Sequence, residues 1–314
     1  MNYKQAKYLN SYTPWIKVLK INSWPKILVP FILGQLMGIH YSGQILWTPL
    51  LFGSIFAVSG VIFIVVVNDL GDFKVDKIKR QMFPEGCSPK TLPDNILSAR
   101  QLKMAAALSM IIGFSAAFLA GKHIALGKEA FLMAIICCLT FVAYTLPPIK
   151  LNYRGGGEIL EMLGVGALLP LFSAYLQAGT LAIPSARIIL PVTLLLSLSS
   201  ALASGLSDEL SDIKGKKNTF TTLFGNQRVR QAIHWLWIMA LAFWIISYFF
   251  SWHLPFIIHL IGAVIILWYG RKVLQLSPFA QTNQFKAINA FKQELHIGIW
   301  ASMLIIGLLL LASP

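Results

Sequence analysis

Residues 45–76 read ILWTPLLFGSIFAVSGVIFIVVVNDLGDFKVD. From Ile45 to Val67 the run carries no ionisable residue, and Asp69, Asp72 and Asp76 follow directly after it. A helix needs about 20 apolar residues to cross the bilayer core. The run therefore predicts a membrane-spanning helix that delivers carboxylates at its end. If that helix continues, the i, i+3, i+7 spacing places all three aspartates on one face.

Working outward, similar apolar runs fall at about 24–40, 103–120, 129–146, 158–176, 187–206, 232–250, 254–270 and 294–312. With the first, they predict an all-α polytopic membrane protein of about nine transmembrane helices. Glu158 and Glu161 open the 158–176 run, and residues 251–255 must form a tight hairpin. The 314 residues are 56% hydrophobic and 12% charged, with a mean hydropathy of +0.68. Soluble domains carry about 25% charged residues. The runs extend almost end to end without a Pro/Ser/Gly-rich linker, so residues 1–314 are expected to form a single transmembrane domain. Residues 1–20 are polar and basic, and no cleavable signal peptide is expected there.

Charge predicts the orientation. With nine spans, every Lys and Arg except Lys122, Lys128 and Arg187 falls on one side. The positive-inside rule reads that side, which holds the N-terminus, as cytoplasmic, and the expected location is the cell (inner) membrane. The net charge of +14 then reflects orientation and attraction to anionic membrane lipids, with no nucleic acid as partner. Cys87, Cys137 and Cys138 have no metal-ligand spacing, and the histidines form no paired ligand pattern.

Only twelve Asp and Glu occur in the chain, and aspartates gather in two places. The first is Asn68-Asp69-Leu70-Gly71-Asp72-Phe73-Lys74-Val75-Asp76, and the second is Asp208-Glu209-Leu210-Ser211-Asp212. Both follow a span arriving from the external side. Asp208 and Asp212, at i and i+4, also share a helix face. Like charges this close repel unless a cation lies among them, and Mg²⁺ binds through one or two carboxylates plus substrate phosphates. Two facing clusters would thus hold Mg²⁺ on a diphosphate. The loop from Tyr144 to Gly157 adds Lys150 and Arg154 as candidates to neutralise that diphosphate. Its Pro147 and Pro148 stop a helix, and Gly155, Gly156 and Gly157 allow close backbone approach. Lys214, Lys216 and Lys217 follow the second cluster.

Together these residues resemble the UbiA superfamily of intramembrane prenyltransferases. Asn68, Asp69, Asp72 and Asp76 match its Asn-Asp-x-x-Asp-x-x-x-Asp pattern, and Asp208 and Asp212 match Asp-x-x-x-Asp. The run from Tyr144 to Glu158 looks closest to the branch that prenylates 1,4-dihydroxy-2-naphthoate for quinone biosynthesis. The resemblance implies a ring of nine helices around a central cavity, with the isoprenoid diphosphate at the cytoplasmic mouth. It also implies Mg²⁺ and diphosphate binding, and so the catalytic role, at Asp69, Asp72, Asp76, Asp208 and Asp212, with Asn68 assisting.

The expected activity is Mg²⁺-dependent transfer of a polyprenyl group from an allylic isoprenoid diphosphate to a small aromatic acceptor. Other acceptors (4-hydroxybenzoate, homogentisate, haem or a non-aromatic compound) stay open. Glu158 and Glu161 read as helix-start acids suited to the dipole, although either could take the released proton. The alternative from another class is a secondary transporter. Such carriers bind substrate at the midplane, whereas here the charges sit at span ends.

Overall fold

The apolar runs fold as helices whose ends fall where the chain supplies caps and breakers. The computed structural model describes residues 12–84, 90–124, 127–250 and 254–313; Cys87 and the 251–253 part of the hairpin lie outside them. In chain order the helices are α1 (Tyr12–Leu19), α2 (Pro25–Ser42), α3 (Trp47–Gly71), α4 (Phe73–Met82), α5 (Ala99–Gly121) and α6 (Gly127–Thr145). After the glycine-rich turn come α7 (Gly157–Leu163), α8 (Leu169–Ala178), α9 (Pro184–Gly205), α10 (Glu209–Lys214) and α11 (Phe220–Phe224). The chain then forms α12 (Asn226–Ser247), α13 (Phe256–Leu276) and α14 (Phe285–Leu311). Pro25 and Pro184 sit in the first turns of α2 and α9, where a missing N–H costs nothing. Ser98 and Gln101 form a capping box ahead of α5. Left-handed Gly43 and Gly179 end α2 and α8.

Eight stretches are long and apolar enough to cross a membrane: α3, α5, α6, the joined α7–α8 unit, α9, α12, α13 with its following turn, and α14. The 18-residue α2, which carries Lys26, Gln35 and His40, is the ninth long helix among the described residues. The protein is a multi-pass membrane protein of helices. The run expected at 158–176 is interrupted by a π-helical turn at Gly164–Leu168. Pro170 has no N–H for the carbonyl of Gly166. The Thr193 hydroxyl donates to that carbonyl instead, at 2.6 Å.

The long helices pack as a closed ring: α3 on α5, α5 on α6, α6 on α7 and α8, α7 on α9, α9 on α12, α12 on α13, α13 on α14, α14 on α2, and α2 back on α3. Across the ring α2 lies against α8. A Cβ on Gly34 would stand 2.2 Å from the Pro170 carbonyl oxygen, so only glycine permits that approach.

The interior is not uniform. Around α9, α12, α13 and α14 it is filled by side chains such as Ile189, Ile233, Trp244, Phe291 and Leu295. Around α3, α5 and α6 two smaller clusters occur, one with Phe31, Ala117 and Phe172 and one with Val66, Leu97 and Leu102. A cavity of about 300 Å³ reaches from Phe56 and Ala57 to Asn68 along α3, closed by α5, α6 and α7. At its mouth, where α3 ends, the lining reaches Asn68 and Lys20, the partner of Asp69.

Candidate active site

The two aspartate motifs are built in the same way. α3 stops at Gly71, Asp72 turns the chain (φ −97°, ψ 5°), and α4 begins. Helical bonding still crosses the turn: Asp72 N–H donates to the Asn68 carbonyl and Asp76 N–H to that of Asp72, both at 2.8 Å. In the second motif α9 stops at Gly205, Asp208 precedes α10, and Asp212 N–H donates to the Asp208 carbonyl at 2.8 Å. The aspartates thus sit at paired helix breaks rather than along one uninterrupted helix face. α4 and α10 then pack on each other. Gly215 makes this possible, since a Cβ there would lie 2.7 Å from Val75 Cγ2.

The carboxylates of the two motifs are joined crosswise by lysines. Lys217, from beyond the second motif, reaches Asp72 Oδ2 at 3.0 Å. Lys79, from α4, pairs with Asp208 Oδ1. Asp69 Oδ1 meets Lys20 Nζ at 2.5 Å, while the Thr91 hydroxyl donates to Oδ2. Asp76 Oδ1 meets Lys90 Nζ at 2.5 Å. Five aspartates and four lysines from distant parts of the chain therefore share one mouth.

Burial and charge set their ionisation. Asp212 is pushed up to about 8 by burial, against the pull of Lys217 and with the repulsion of Asp208 and Asp72. Asp208 is only half-buried; the desolvation there is outweighed by Lys79 and Lys90, which hold its carboxyl below the usual carboxylate range. Burial also raises Asp76 above the usual carboxylate range, with Lys90 opposing. For Lys217, burial is outweighed by Asp72, Asp212 and Asp208, which raise it to about 12. So much carboxylate in partial burial is costly unless cations balance it.

The Tyr144–Gly157 loop closes one side. The Tyr153 hydroxyl and Lys150 Nζ both donate to the Gly71 carbonyl at 3.2 Å, beside Asp72. Lys150 also stacks its ammonium 3.7 Å from the Tyr153 ring centre, and its partial burial lowers its pKa. Arg154 is exposed; its backbone bridges to Asn218, next to Lys217. Among the described residues no ion pair links Lys150 or Arg154 to the aspartates. Asn68 accepts from the Thr145 hydroxyl at 2.9 Å and lines the cavity. Glu158 accepts from Phe220 N–H at 2.8 Å and so anchors the start of α11. The sequence reading gave no site role to Lys20, Lys79, Lys90, Thr91 or Tyr153. The lysines carry no local signal beyond charge on the basic side.

The donor set is all oxygen, the chemistry of a hard dication such as Mg²⁺. Buried Asp72 Oδ1 has no hydrogen-bond partner among the described residues. Among those residues no three carboxylates converge on one metal-sized point. The arrangement fits Mg²⁺ held through one or two carboxylates together with a phosphate ligand, and does not form a protein cage.

The sequence profile of the UbiA prenyltransferase family matches residues 27–311. The chain belongs to the UbiA prenyltransferase family. It is a prenyl-transferring enzyme of that family, and its fold agrees. The solved structure of a UbiA homologue from Archaeoglobus fulgidus superposes with a TM-score of 0.69 at 15% identity, covering 96% of this chain and 100% of that one. The same homologue bound to GPP and Mg²⁺ gives 0.68 at 16% identity, with the same coverage. A UbiA homologue from Aeropyrum pernix K1 gives 0.64 at 14% identity, covering 90% of this chain and 97% of that one. No curated protein sequence matches the chain.

Proposed function

We propose that this UbiA-family enzyme transfers a polyprenyl group from an allylic isoprenoid diphosphate to a small aromatic acceptor resembling 1,4-dihydroxy-2-naphthoate, in a Mg²⁺-dependent reaction of quinone biosynthesis. One observation carries the reading: two aspartate motifs, crosslinked by lysines, stand at the mouth of an apolar cavity. A diphosphate suits the charged mouth, and an isoprenoid tail suits the cavity between α3, α5 and α6.

Asp69, Asp72, Asp76, Asp208 and Asp212 would hold Mg²⁺ and through it the diphosphate. When bound, Mg²⁺ supplies Lewis-acid withdrawal of charge from the leaving group. The lysines now paired with the aspartates stand ready to turn to phosphate oxygens, as Lys150 and Arg154 do from the loop, and Asn68 orients the headgroup. Such preorganised cations act where charge develops as the allylic C–O bond breaks. The naphthoate-like acceptor rests on the Tyr144–Glu158 sequence. A cytoplasmic mouth, with the N-terminus on the same side of the cell membrane, rests on the Lys and Arg asymmetry. Residues 1–314 act as a single transmembrane domain in this reading.

The test is to incubate the purified protein with labelled isoprenoid diphosphate, Mg²⁺ and a panel containing 1,4-dihydroxy-2-naphthoate, 4-hydroxybenzoate and homogentisate. Diphosphate release and the mass of the prenylated product are followed. The expected product is the prenylated naphthoate. Transfer to another acceptor moves the acceptor assignment alone, whereas no diphosphate release with any acceptor overturns the reaction.

A further inference from the structure

Beneath the aspartate mouth the cavity wall holds an ion pair that diphosphate binding does not need. Glu161 lies four residues into α7, at 1.5 Å per residue about 6 Å from the start of that helix. Its Oε1 is 2.5 Å from Lys26 Nζ, and Lys26 also donates to the Ser204 hydroxyl at 3.1 Å. Both side chains line the cavity with Asn68 and Tyr144, and they keep 16% and 23% exposure, so a bound molecule can touch them. An ion pair amid apolar walls recovers little of its desolvation cost. Ionisable residues inside a span mark function by default. The π-helical turn at Gly164–Leu168 begins three residues later, and such turns are frequent at functional sites.

We infer that Glu161 is the proton acceptor of the transfer reaction, aimed into the cavity and held in place by Lys26. The inference rests on the reaction proposed above and adds its last step. The allylic C–O bond breaks with its electron pair leaving on the diphosphate. A ring carbon of the acceptor then bonds to the allylic carbon. The C–H pair at that ring carbon returns to the ring as Glu161 takes the proton, which later passes to water at the mouth. A carboxylate suffices as the base here because the ring proton of a cationic adduct is strongly acidic. The same carboxylate places negative charge beside the developing cation. Glu158 is the competing acid, but its carboxylate is committed to Phe220 N–H. The aspartates at the mouth are the residues proposed above to hold Mg²⁺, and four of them, Asp69, Asp72, Asp76 and Asp208, also face lysines.

The experiment compares the full-length wild type with Glu161→Gln, Glu161→Asp and Lys26→Met. The substrates are isoprenoid diphosphate, Mg²⁺ and an acceptor carrying hydrogen or deuterium at the substituted ring carbon. General-base catalysis contributes about 10²–10⁴-fold, so Glu161→Gln should lose at least about a hundredfold in transfer. It should still release diphosphate, now ending as prenyl alcohol, and its residual transfer should show an H/D isotope effect larger than in the wild type. Glu161→Asp should recover part of the rate, and Lys26→Met should fall between the two. Wild-type transfer by Glu161→Gln overturns the assignment. So does a loss in which diphosphate release falls equally with no isotope effect, and the Asp variant applies the same criteria if the Gln variant does not fold. A wild-type enzyme that releases no diphosphate shows instead that the underlying reaction is wrong.

Discussion

The halves of the ring each bring an aspartate motif to the mouth, yet one half is hollow and the other is solid. The difference lies in the side chains that face inward. Along the cavity α3 and α5 present Ser59, Gly60, Ser109 and Gly113, and a Cβ placed on Gly60 would meet nothing within 4 Å. The corresponding space between α9, α12 and α14 is taken by Ile189, Trp237, Trp244, Phe291 and Leu295. Motifs of the same composition therefore stand in different surroundings. The first sits on the helix that walls the cavity, while the second is carried on a rigid block that faces it. A repeated motif in the chain does not imply a repeated binding site.

The sharpest break of that comparison is at the shared mouth. Asp69→Ala in the hollow half and Asp208→Ala in the solid half should each abolish transfer, by about a thousandfold or more, since removing a single preorganised charge-stabilising group already costs about 10²–10³. Chelating Mg²⁺ should have the same effect on the wild type. A radiolabel transfer assay on membranes with equal protein content measures this. Retained activity in Asp208→Ala would mean that the solid half is only scaffold.

Next comes packing. Phe291 is fully buried in the solid half. Phe291→Ala should destabilise the protein by about 3 kcal/mol, the low end for Phe truncation, because in a membrane the loss is of packing rather than of water exclusion. Thermal unfolding in detergent should show it, with activity per folded molecule little changed. Gly60→Leu should do the reverse in the hollow half. It fills existing space, so the unfolding temperature should hold, while the diphosphate of a long prenyl chain loses room for about four carbons. At about 0.8 kcal/mol per buried methylene, its KM should rise roughly a hundredfold and that of a short-chain diphosphate much less. Equal loss for both lengths would show that the tail lies elsewhere.

Most of this architecture was legible in the chain. Each expected apolar run corresponds to a helical stretch, with ends shifted by up to nine residues (α14 begins at Phe285 rather than near 294), because polar turns can extend a helix beyond its apolar run. The exception inside a span, the π turn, depends on Thr193 reaching Gly166 from another helix, which periodicity does not encode. The aspartates were visible from spacing, but the break at Asp72 was not, and it separates Asp76 from the helix that carries Asp69. The lysine partners were hidden for a plainer reason. Lys20 is 49 residues from Asp69, and Lys79 is 129 from Asp208. On a basic membrane face, such lysines read as orientation signal. Glu161 likewise resembled a helix-start acid until Lys26 was seen beside it.

The smallest effect asks whether the crossed pairs are equivalent. Lys79 belongs to the hollow half and clasps an aspartate of the solid one; Lys217 does the converse. If both lysines act mainly as phosphate anchors that let go of the aspartates when substrate binds, Lys79→Met and Lys217→Met should each cost about tenfold in kcat/KM. That is about 1.4 kcal/mol, within the range of a charge-assisted hydrogen bond. The two values should then agree to within about threefold. Lys217 is distinguished by a pKa raised by the charges of Asp72, Asp212 and Asp208, and by the Tyr153 ring 5.2 Å away. If it instead keeps hold of Asp72 throughout turnover, its removal leaves half-buried Asp72 without its cation. The Lys217 variant should then be the worse by tenfold or more, and restoring the balance with Asp72→Asn should recover stability but not transfer. Measuring both variants, singly and with their aspartate partners, separates a symmetric pair of anchors from a single structural clasp.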